Sequence, residues 1–138
     1  MSEALYTCPK CNDVLKRFDV DRVEVDKCPS CDGVWLDAGE LTKLKLAPSK
    51  MGLAELDRKD GARKAPPSAG HLQLGCPACE GKMTPLPIQP KVILDHCTHC
   101  GGLWLDHKEL QPALSAISGG GGGLPARIID ALLGITKR

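Results

Sequence analysis

The sequence predicts a small metal-stabilised β fold of α+β type, built twice, and three observations carry that expectation. Four aromatic side chains (two Trp, one Tyr, one Phe) among 138 residues are too few for an ordinary core of this length, since aromatic rings contribute most buried area per residue. Eight cysteines fall as Cys8, Cys11, Cys28, Cys31 and Cys76, Cys79, Cys97, Cys100, written C-x2-C-x16-C-x2-C and C-x2-C-x17-C-x2-C with none left over. The first knuckles are 68 residues apart and the second 69, so the chain carries an internal repeat.

Paired C-x2-C knuckles separated by 15 to 20 residues are the spacing of a four-cysteine zinc site. Each C-x2-C turn aims two thiolates at one point, and two turns supply four sulfurs at about 2.3 Å in a tetrahedron. The expected ligands are all eight cysteines, holding two Zn2+ per chain. Disulfides, a redox dithiol and tetrahedral iron are the competing chemistries.

Between the knuckles of the first copy, Val14 to Val20 and Arg22 to Lys27 alternate apolar and polar residues, the period of a half-buried strand. They form a hairpin turning near Asp19 to Arg22. In the second copy Met83 to Ile88 and Lys91 to His96 take the same places around Gln89-Pro90, and Pro85 and Pro87 confine the first of these to a sheet edge. Val34-Trp35-Leu36 and Leu103-Trp104-Leu105 add a short third strand to each. The result is a zinc ribbon, twice.

Each third strand meets a helix-start signal: Asp37 with Glu40, and Asp106 with Glu109, a capping box with Asp in place of Ser or Thr. Helix initiation is therefore preferred to a catalytic role for these acids. The first helix runs through Leu41 and Leu44 until Pro48. In the second copy Pro112 is expected to break the helix and open a new turn.

The run from Cys28 to Leu41, CPSCDGVWLDAGEL, resembles the TFIIB-type zinc-finger family, a short transcription-factor zinc ribbon. The second copy, from CPAC at Cys76 to CTHCGGLWLDHKEL ending at Leu110, is similar but has Thr98-His99 in the knuckle and His107-Lys108 beyond it. The resemblance covers about 75 to 80 residues in two blocks and implies a zinc-ribbon fold, bound zinc and a connection with transcription.

The expected organisation is ribbon 1 over 5–47, a helical and flexible linker over 48–73, ribbon 2 over 74–112, a short turn and glycine-rich spacer over 113–123, and a C-terminal amphipathic helix over 124–138. Met51, Leu53 and Leu56 form a weak apolar set, and Gly61 to Gly70 reads as a flexible join. The ribbons are expected to hang as beads on this tether. In the tail, five glycines (Gly119 to Gly123) precede Pro125, Ile128, Ile129, Leu132 and Leu133, a stripe at helical spacing. A helix of about eight residues is marginal alone in water and must dock on something.

Trp35 and Trp104 are expected to pack over their hairpins rather than stack on bases. His96 and His99 are read as surface imidazoles beside sites already completed by four cysteines, and His71 and His107 have no partner constellation. No Ser-His-Asp ordering, phosphate-binding glycine loop or HExxH occurs, so no enzymatic chemistry has an anchor.

The net charge is +1, from 18 Lys plus Arg and 17 Asp plus Glu. Each ribbon is −1, and two tetrathiolate zinc sites take the loaded chain to about −3. The basic surplus lies in the linker (Lys50, Arg58, Lys59, Arg63, Lys64) and at Arg127, Lys137 and Arg138. Non-specific phosphate binding rests on clustered Lys and Arg, so charge favours protein recognition over nucleic acid.

The N-terminus has no basic stretch leading an apolar run, and no run approaches the roughly 18 apolar residues that span a bilayer. The expectation is an intracellular, cytoplasmic, non-enzymatic adaptor with no membrane and no small-molecule substrate. It captures a protein partner or a second copy of itself through the C-terminal helix. A nucleic-acid-binding regulator using the basic linker is the alternative, with weak binding expected. A thiol redox or zinc-release sensor, centred on the second knuckle of copy two, is a third reading.

Overall fold

The computed structural model describes residues 6–20, 22–46, 56, 58, 61, 75–79, 81–89 and 92–118. The first repeat gives β1 (Lys16–Val20), β2 (Val23–Lys27), β3 (Val34–Leu36) and α1 (Glu40–Leu46). The second gives β4 (Met83–Gln89), β5 (Val92–Cys97), β6 (Leu103–Leu105) and α2 (Leu110–Ser118). Each hairpin forms where the apolar–polar alternation places it, with the first turn fixed by the Arg22 amide donating to Asp19 Oδ1 at 2.7 Å.

The expectation of two beads on a tether is corrected by the sheet. All six strands form one antiparallel sheet in the order β1-β2-β3-β6-β5-β4. The two third strands pair with each other, Val34 opposite Leu105, Trp35 opposite Trp104 and Leu36 opposite Leu103. A three-residue strand buried on both faces leaves one side of its ladder unmet within its own ribbon. The repeated strand of the other ribbon meets it, because unpaired buried backbone groups are costly.

Side-chain alternation then divides the core in two. Val23, Val25, Val34 and Leu36 with Leu94, Leu103 and Leu105 face one way, covered by Leu41 and Leu44 of α1 and Leu110, Ala113 and Leu114 of α2. On the other side Trp35, Trp104, Leu15 and Met83 cluster with cysteines of both repeats. A sheet buried on both faces is what lets so few aromatic residues suffice.

The expected break at Pro112 is also corrected. Helix α2 begins at Leu110, so Pro112 falls in the first turn, where a missing N–H leaves nothing unsatisfied. The helix continues to Ser118, beyond the expected boundary at 112. Pro85 and Pro87 do lie on an edge strand, with a register shift between Pro87 and Gln89.

Part of the expected join is anchored. Leu56 is helical and buried in the first core cluster. Lys27 Nζ donates to the Arg58 carbonyl at 2.7 Å, and the Gly61 amide donates to the Asp32 carboxylate at 2.9 Å. A Cβ at Gly61 would collide with the Ser30 carbonyl, so only glycine fits there. The remainder of the join, the five glycines and the expected C-terminal helix over 124–138 lie outside the described residues.

Candidate metal centres

Each predicted ligand set comes together. The four sulfurs of Cys8, Cys11, Cys28 and Cys31 lie within 4.8 Å of one another, as do those of Cys76, Cys79, Cys97 and Cys100. Cys8 and Cys31 Sγ are 3.9 Å apart, Cys76 and Cys100 3.6 Å, and Cys79 and Cys97 3.4 Å. Four sulfurs at about 2.3 Å from one ion are separated by roughly 3.8 Å, whereas a disulfide is about 2.05 Å. All eight thiols are free, and the separations are those of a tetrahedral metal site. Two Zn2+ ions fit the two clusters.

The knuckles hold this geometry through their backbones. The amides of Lys10 and Cys11 donate to Cys8 Sγ at 3.4 and 3.2 Å, those of Ser30 and Cys31 to Cys28 Sγ at 3.4 and 3.5 Å, and that of Ala78 to Cys76 Sγ at 3.3 Å. Such N–H groups spread the charge of a bound thiolate cluster. The residue after the second cysteine turns left-handed: Asn12 and Asp32 at φ 64° and Gly101 at 83°. Asn, Asp and Gly are the residues that tolerate that conformation.

Burial pushes the Cys28 and Cys100 thiols up to about 11, against the pull of neighbouring amides. Cys31 is raised by its hydrogen bond with Cys8 and by burial, and Cys76 by burial. At Cys97 burial also opposes ionisation, but the Cys100 amide and Cys79 thiol outweigh it and lower the pKa. Bound zinc supplies the charge that keeps these sulfurs as thiolates, so loading releases protons and weakens in acid.

No histidine joins a metal cluster among the described residues. His96 is half-buried and held neutral by that burial, His99 is exposed, and His71 lies outside the described residues. Glu40 and Glu109 act at the helix starts, accepting the Asp37 and Asp106 amides at 2.8 and 2.9 Å. Burial raises Glu40 to about 7 and Glu109 to about 8. The partner carboxylates do something the capping-box pattern did not suggest. Asp37 and Asp106 receive the indole N–H of Trp35 and Trp104 at 2.9 and 3.2 Å.

The tryptophans are fully buried, as packing residues should be. They cluster with Leu15 and Met83 of the hairpins, and each ring also lies over the other ribbon. Trp104 covers Gly33 and Trp35 covers Gly102, so closely that a Cβ on either glycine would overlap the ring. Sequence reading aligned these glycines without seeing their role. It also missed Lys10, whose Nζ joins both oxygens of Asp106 in the other ribbon at 2.7 and 2.8 Å.

The sheet and the two closed four-sulfur centres define a tandem zinc ribbon. The transcription-factor zinc-finger family, of TFIIB type, is matched over residues 7–47 and 75–116. More than half of the chain is covered, and the chain belongs to that family. Curated proteins and solved structures give no match.

Proposed function

We propose that this chain is a non-enzymatic protein-interaction adaptor, connected with transcription, whose two zinc ions are structural. The observation that carries the structural role is saturation: four cysteine sulfurs complete each tetrahedron. A catalytic zinc site keeps a position for water or substrate, and a closed one does not. The adaptor role is supported by the apolar stripe of Ile128, Ile129, Leu132 and Leu133 behind five glycines. An amphipathic helix on a spacer suits capture by an apolar groove.

Replacing Ile129 and Leu133 with Asp should abolish self-association in sedimentation, or capture of a protein partner, while elemental analysis still finds two zinc per chain. Association that survives the double substitution overturns the proposal. A red, iron-loaded protein overturns the metal assignment. Tight, sequence-selective nucleic-acid binding at physiological salt, lost on changing Lys59, Arg63 and Lys64 to Gln, would put the regulator reading first.

A further inference from the structure

We infer that each metal centre is braced by the opposite ribbon: Trp104 is a positioning residue for the Cys8, Cys11, Cys28 and Cys31 site, and Trp35 for the Cys76, Cys79, Cys97 and Cys100 site. The path is short. The Trp104 ring seats on Gly33. The Gly33 carbonyl accepts the Cys28 amide at 2.8 Å, and Gly33 follows the Cys31 ligand by two residues. One residue therefore touches the foreign indole and braces the backbone of a metal ligand. The mirror path runs from Trp35 to Gly102, whose carbonyl accepts the Cys97 amide at 3.0 Å.

Both rings sit in one buried cluster with cysteines of both sites, and the β3–β6 ladder holds them in register. Filling one site orders its knuckle and third strand, which fixes the indole that the other site needs. The two zinc ions thus bind as a coupled pair. A ligand-to-ligand coupling of this kind is worth about 5- to 150-fold in affinity. It goes beyond the adaptor reading and does not depend on it.

The test uses the full chain loaded with cadmium-113, whose two tetrathiolate centres give two NMR resonances, assigned with Cys→Ser variants of each site. Metal affinity is read by competition with a chelator. Trp104→Leu should displace the resonance of the Cys8, Cys11, Cys28 and Cys31 site and weaken that site about tenfold, although the substitution lies in the other ribbon. Gly33→Ala should weaken the same site through its clash with the ring. Combining the two should recover part of the Gly33→Ala loss. A first site indifferent to Trp104→Leu, or losses that simply add, overturns the inference. Should Trp104→Leu not fold, Trp104→Phe, which lacks the benzo edge over Gly33, gives the same rescue test.

Discussion

Superposing the two ribbons residue on residue separates what the repeat shares from what it does not. Shared are the knuckles, the Gly-x-Trp-Leu-Asp third strand and the half-buried glutamate, which together build the metal sites and the central seam. Among the differences, four positions matter for structure. Lys10 stands where ribbon 2 has Ala78, Asp32 where it has Gly101, Lys27 where it has His96, and Gly39 where it has Lys108. The first three exchange a charge for a smaller or neutral group, and each charge has a structural task. Lys10 reaches across to Asp106, while Lys27 and Asp32 (3.6 Å apart, both buried) grip the chain leaving ribbon 1. The paired third strands are alike, whereas the cross-ribbon ion pair and the anchored connection rest on residues that only one copy carries.

The largest effect that could break this comparison is metal removal. Structural zinc contributes folding free energy of order 10 kcal/mol per site, so strong chelator with reduced thiols should unfold both ribbons in one transition. Two separate transitions in tryptophan near-ultraviolet circular dichroism would show ribbons that fold independently. Next is Asp32→Gly, which gives ribbon 1 the ribbon 2 residue without disturbing a left-handed turn. It removes the carboxylate beside the buried Lys27 ammonium, which keeps its bond to the Arg58 carbonyl, and frees the Gly61 amide, and should cost about 3 kcal/mol in denaturant unfolding of the zinc-loaded chain. Asp32→Gly at wild-type stability would mean the anchor is idle.

Lys10→Ala copies Ala78 and leaves Asp106, still partly hydrated, without its ammonium. The expected loss is about 2 kcal/mol, read from the same unfolding curves. Smaller again is the exchange at the helix starts, where Gly39 and Lys108 share a left-handed backbone, φ 85° and 75°. Gly39→Ala should cost about 1 kcal/mol although its Cβ would meet open space, and Lys108→Gly should gain a few tenths, roughly, after the unfolded-chain entropy is subtracted. Equal responses at the two positions would erase the asymmetry.

The last effect is a slope with pH. Glu40 and Glu109 have folded pKa values raised above the usual carboxylate value, so the folded state holds more protons between about 4.5 and 8. Their contribution is full below that window and is lost as pH rises through it. Glu109→Gln should therefore gain relative to wild type as pH rises toward 8, and more than Glu40→Gln does. Measurement at saturating zinc keeps the opposite pH dependence of metal loading out of the comparison.

Local chemistry was legible in the sequence and long-range pairing was not. The eight ligands followed from C-x2-C spacing because a knuckle closes within a few residues. The third strands followed from their place in the repeat, and Glu40 and Glu109 from a three-residue offset. The union of β3 with β6 could not be read, since Val-Trp-Leu and Leu-Trp-Leu say nothing about which strand they will meet. The Lys10–Asp106 pair spans 96 residues. Gly33 and Gly102 stood aligned in the repeat, but only the foreign indole explains them. Pro112 misled because the start of α2 lies four residues beyond Asp106 rather than directly after it, behind a left-handed Lys108.

The two outer edges of the sheet have unequal capacity for growth. On β4, Pro85 and Pro87 offer no N–H to an approaching strand, and the shift between Pro87 and Gln89 spoils the register. The edge along β1 contains no proline. Open-ended stacking of sheets into a fibre requires every molecule to be receptive on both flanks. A chain barred on one flank can pair edge to edge only with its like, β1 against β1, and such pairing stops at two.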